Sequence, residues 1–98
     1  MFDKMKDLME MTKQAEALKR ELDGSIIEVN EVRGIKIVIN GSQNFQTVEI
    51  ATELLTQENK KRLENDLLRS LNVAIRKSQN QAAQKMQALT GLTIPGLN

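Results

Sequence analysis

Arg62, Arg69 and Arg76 stand seven residues apart in the stretch RLENDLLRSLNVAIR. Seven residues are close to two helical turns, so a helix here carries three guanidinium groups on one face. Such a row can grip something negative, or it can be the wet side of an amphipathic helix. Lys6, Lys13 and Arg20 repeat the same spacing near the N-terminus. On a helical wheel both rows lie opposite apolar sides, the first opposite Leu71 and Leu89, the second opposite Leu8, Ala15 and Leu22. A solvated helix face alone also asks for charge of this kind.

Local partners separate the two rows, because residues three and four apart on a helix touch. Lys6 has Asp3 and Glu10, Lys13 has Glu10 and Glu16, and Arg20 has Glu16 and Asp23. Arg62 has Glu58 and Asp66, and Arg69 has Asp66. Arg76, Lys77 and Lys85 have no acid at either spacing and are expected to be free cations. All 13 acidic residues lie within residues 1–66, so a net charge of only +1 hides a basic C-terminal third holding Arg69, Arg76, Lys77 and Lys85.

Free cations on a helix are available to phosphate without breaking a local pair. The residues expected to contact phosphate are Lys4, Lys6, Lys13, Arg69, Arg76, Lys77 and Lys85. If the two helices run antiparallel, Lys4, Lys6, Arg76, Lys77 and Lys85 share a free tip, and Arg20 and Arg62 lie at the base. Asn80, Gln81, Gln84 and Gln87 could bond base edges. A neutral helix surface accounts for them as well, and most protein–DNA hydrogen bonds go to the backbone. Weak sequence preference and strong salt sensitivity are therefore expected.

Other chemistries find little support. The chain has no Cys and no His, which removes thiolate nucleophiles, disulfides, Cys/His metal sites and the commonest general base. Glu49 with Glu53, and Glu64 with Asp66, are carboxylate pairs without a pocket pattern. Gly34 and Gly41 read as turn residues rather than a phosphate-cradling loop. Trp and Tyr are absent, and Phe2 and Phe45 are isolated, so no stacking platform for single strands exists; Phe45 reads as core. No enzyme, cofactor or metal site is expected. No secretory or membrane-spanning pattern is seen, so the expected location is the cytoplasm.

These residues need elements to position them. With 98 residues there is room for one domain, expected over 1–90 with a loose, flexible tail at 91–98. Phe2 to Leu22 has helical periodicity, ending at Gly24. Three short β-branched runs follow, within Ile26–Val29, Ile35–Ile39 and Phe45–Ile50, joined by turns at Arg33-Gly34 and Gly41–Asn44. Thr52–Leu55 bridges to a second helix, N-capped by Thr56 and running to about Leu89. The fold class is α+β: α-β-β-β-α with a three-stranded antiparallel sheet and long projecting helices. A helix of about 34 residues reaches roughly 50 Å, against about 20 Å for a six-residue strand. A single copy leaves much apolar stripe uncovered, so a homodimer is expected.

Ile39-Asn40-Gly41, Val48-Glu49-Ile50 and Leu54-Leu55, in this order, resemble the core signature of the YbaB/EbfC family of bacterial nucleoid-associated proteins. The flanks agree, with Lys13-Gln14-Ala15 in a Met-rich first helix and Leu71-Asn72-Val73-Ala74 in a long last one. The resemblance covers nearly the whole chain. It implies an intertwined dimer whose paired helices project like tweezers and bind DNA, no enzymatic activity, a place at the nucleoid, and a gene often encoded beside recombination and replication genes. Two features depart from the family pattern. The family usually has a longer, Gly-rich connection where this chain has only Asn30–Gly34, and Ala51-Thr52 stands where Asp-Pro is usual.

Two readings follow. In the first, the protein is a homodimer that holds double-stranded DNA electrostatically. In the second, it is a dimeric module for a replication or recombination protein, with Met1, Met5, Met9 and Met11 of the first helix as the contact surface.

Overall fold

The computed structural model describes residues 3–90. In chain order the elements are helix α1 (Asp3–Asp23), strands β1 (Ile26–Val29), β2 (Ile35–Asn40) and β3 (Phe45–Ile50), a single 3₁₀ turn (Thr52–Leu54) and helix α2 (Lys60–Thr90). This is the expected α-β-β-β-α order. The tail expected at 91–98 lies outside the described residues, as do Met1 and Phe2.

The strands form an antiparallel meander in the order β1-β2-β3. Residues paired across such a ladder share a face. Ile27 and Val29 pair with Ile39 and Ile37, and Ile35, Ile37 and Ile39 pair with Ile50, Val48 and Phe45. These eight side chains therefore make one apolar face. Phe45 and Val48 are three apart, which in a regular strand would set them on opposite faces. A bulge opposite Val38 and Ile39 takes up Gln46 and returns Phe45 to the apolar side.

α2 packs on β1 and β2. The core is Val29, Ile35, Ile37 and Ile39 from the sheet with Val73 and Ala74 from α2, all aliphatic as the composition requires. α2 packs mainly over β1 and β2, and Phe45 stays 42% exposed and Val48 47% exposed. The expectation that Phe45 is core is thus corrected, because one helix is too narrow to cover three strands.

Two turns are set by glycine. Gly34 has φ 91°, a left-handed conformation that side chains strain. Gly41 instead allows close approach: a Cβ there would sit 3.0 Å from the Leu22 carbonyl oxygen. That approach docks α1 to the sheet. The Gly41 N–H donates to the Leu22 carbonyl at 2.9 Å, and Asn40 Nδ2 donates to the Asp23 carbonyl at 3.3 Å. The Ser42 hydroxyl adds a bond to the Asp23 carboxylate.

α2 starts later than its sequence suggests. Thr56 Oγ1 accepts from the Asn59 N–H at 3.2 Å, but this closes only a preliminary turn. The first α-helical bond runs from the Leu63 N–H to the Asn59 carbonyl, and Asn59 Nδ2 donates to the Leu54 carbonyl at 2.8 Å. Asn59 therefore anchors the helix start to the 3₁₀ turn, a contact that a capping pattern does not reveal.

Candidate nucleic-acid interface

The buried line of α2 is Ser70, Val73, Ala74 and Ser78. It is rotated away from the centre of the helix's apolar stripe at Leu71. Small side chains explain the rotation, since Ser and Ala let the helix backbone come close to the isoleucines of β2. The Ser70 hydroxyl donates to its own helix at the Asp66 carbonyl, whereas the Ser78 hydroxyl donates to the Asn40 carbonyl at 2.7 Å. The larger apolar residues of the stripe remain partly open, and Leu68 is 60% exposed.

Arg62, Arg69 and Arg76 are all exposed. Their surroundings differ. Arg62 pairs with Asp66 at 3.8 Å, one of its expected partners. Arg69 pairs with Glu31, 38 positions away, at 3.2 Å rather than with Asp66. Among the described residues Arg76 and Lys77 form no ion pair, as their spacing indicates. Lys85 is different: its Nζ lies 2.9 Å from Glu21 Oε1. The reading of Lys85 as a free cation is corrected, since its acid comes from α1 and not from its own helix. Lys6, Lys13 and Arg20 form no ion pair among the described residues, so the compensation expected within α1 is not made as contacts.

The expected shared tip divides in two. The bond from Ser78 to Asn40 fixes the segment of α2 that carries Arg76 and Lys77 level with the β2–β3 corner, with both side chains exposed. α1 leaves that same corner from its C-terminal end, and Glu21 meets Lys85 close by. Lys6 lies fifteen positions before Glu21, about 22 Å along the helix. Lys4, Lys6 and Lys13 therefore lie on the far half of α1, while Arg76 and Lys77 lie on the stretch of α2 level with the corner. Residues 4–16 of α1 are exposed on every side.

Of the carboxylates in the two pairs, Glu49, Glu64 and Asp66 each meet a cation. Lys36 bridges Glu28 at 3.5 Å and Glu49 at 3.8 Å on the open face of the sheet. Glu64 bonds Lys60 at 2.9 Å, and that bond with the nearby Lys60 charge holds its carboxyl below the usual carboxylate range. A groove of about 870 Å³ runs between the β1–β2 turn and the start of α2. Arg33, Arg62 and Arg69 line it beside Glu31, Glu53 and Asp66, so its charges largely cancel. Among the described residues no cluster of acidic side chains could hold a metal ion, and no helix is long and apolar enough to cross a membrane.

Two residues that position the candidate cations carry weak signals in sequence. Asn40 is visible as part of an Asn-Gly turn, but its bonds to both helices are not. Glu21 has no cation three or four positions away that would mark it.

The sequence profile of the YbaB/EbfC DNA-binding family matches residues 1–93. The chain belongs to this family. A nucleoid-associated protein of Pelotomaculum thermopropionicum is 35% identical over 95 residues, covering 95% of this chain and 90% of that one. A nucleoid-associated protein of Clostridium kluyveri is 32% identical over 97 residues, covering 95% of this chain and 83% of that one. Among solved structures, uncharacterized protein HP0035 from Helicobacter pylori superposes with a TM-score of 0.67 at 21% identity, covering 87% of this chain and 98% of that one. This likeness is one of fold.

Proposed function

We propose that the protein is a nucleoid-associated DNA-binding protein that acts by binding rather than by catalysis. It works as a homodimer and contacts the phosphate backbone of duplex DNA, with weak sequence preference. The observation that carries this reading is the pair Arg76 and Lys77, exposed and without an ion pair among the described residues, on a helix segment that has no acid after Asp66. Membership of a DNA-binding family and relatives named nucleoid-associated proteins support it. The location proposed is the cytoplasm, at the nucleoid.

Lys4, Lys6 and Lys13 extend the phosphate-contacting set along α1. Arg69 and Lys85 belong to it only after exchanging Glu31 and Glu21 for phosphate. The homodimer is supported by apolar surface that one copy leaves open: the β3 face with Phe45 and Val48, and Leu68 on α2. β3 is also an unpaired sheet edge. The test is a duplex-DNA titration at two salt concentrations, comparing the wild type with Arg76, Lys77 and Lys85 changed together to Ala. Salt-dependent binding that is lost in the triple variant is expected. No binding at low salt overturns the reading.

A second reading is favoured by one observation. Met5, Leu8, Met9 and Met11 are exposed on the free half of α1, which suits a replication or recombination protein as partner. A wild type that stays dimeric but fails to bind DNA at low salt would support it.

A further inference from the structure

Lys85 to Glu21 is the one ion pair between α1 and α2 among the described residues. The Lys85 side chain is 24% exposed, and Glu21 is more open. Glu21 lies in the last turn of α1, where the negative end of the helix dipole disfavours a carboxylate. Its own helix offers no cation three or four positions away. Lys85 is thus the cation that Glu21 meets, and Glu21 is the anion that Lys85 meets.

A phosphate oxygen needs the same ammonium. A phosphate oxygen arriving at Lys85 is set beside the Glu21 carboxylate, and the repulsion between the two anions favours opening the Glu21–Lys85 pair. We propose that Glu21 is an internal competitor for DNA: it occupies Lys85 as a phosphate would, and DNA binding exchanges one anion for the other. This inference rests on the DNA-binding reading above. The exchange breaks a bond between α1 and α2, so the far half of α1, with Lys4, Lys6 and Lys13, gains freedom to follow the duplex. Glu21 thereby lowers affinity without touching DNA.

The experiment is a double-mutant cycle of Glu21→Gln and Lys85→Gln, read by titration of the full chain with a short duplex at low and high salt. Gln keeps the size of Glu and removes its charge. Glu21→Gln is expected to bind about two- to fivefold tighter at low salt, the factor an exposed ion pair is worth. In the Lys85→Gln background the same change is expected to have no effect. Equal tightening in both backgrounds would mean a general charge effect and would overturn the proposal. So would Glu21→Gln binding no tighter than wild type, the result expected of a purely structural pair. Thermal melting of each variant checks that the fold persists. Failure of the DNA-binding reading is separately visible, since the wild type would then not bind at low salt.

Discussion

The Ser78 hydroxyl donates to the Asn40 carbonyl at 2.7 Å, across 38 positions of sequence and out of contact with water. This one bond joins α2 to the corner where α1 also docks. It sets where the exposed cations of α2 stand relative to those of α1.

Ser78→Ala should destabilise the protein by about 1–2 kcal/mol, because a buried carbonyl loses a partner. The loss falls at the lower end of what such deletions cost, since the Gln43 N–H also reaches this carbonyl, at 3.2 Å. Ser70→Ala is the control: Ser70 is equally buried but bonds back to its own helix. Its change should stay within about 0.5 kcal/mol, since Ala is the better helix former. Urea unfolding of both variants measures the difference. Equal losses would show that the bond to Asn40 contributes nothing of its own.

Gly34→Ala should cost about 1–3 kcal/mol. The residue has φ 91°, and a Cβ would meet Leu54 Cδ1 at 2.8 Å, so both backbone and packing resist. Thermal unfolding of the variant is the measurement. An unchanged midpoint would mean that the β1–β2 turn relaxes freely.

Val48→Lys should convert a dimer to a monomer while leaving the circular dichroism spectrum intact. Val48 is 47% exposed on the apolar face and lies outside the core cluster, so the charge does not disturb the chain's own core. Light scattering should give twice 11.1 kDa for the wild type and 11.1 kDa for the variant. A wild type that elutes as a monomer would refute the homodimer.

Much of the fold is legible from local pattern. The alternation of Ile35, Ile37 and Ile39 marks a strand with one buried face, and these are among the most buried residues of the molecule. Helical spacing also places the arginine row on the exposed side of α2. The start of α2 is less legible, because Thr56 has the right residue type while Asn59 has the tertiary partner. Phe45 looks like core by type, yet its burial depends on how far α2 reaches across the sheet.

The candidate site divides along the same line. By itself the sequence determines that Arg76 and Lys77 have no acid within a helical turn, because such pairing depends only on the 3.6-residue period. It cannot determine that Lys85 is occupied, because Glu21 lies 64 positions away and is brought near only by docking α1 at Gly41. Nor can it separate Arg76 and Lys77 from Lys4 and Lys6. That separation is decided by where α2 is held to the sheet, through a hydroxyl and a carbonyl that no periodicity pairs.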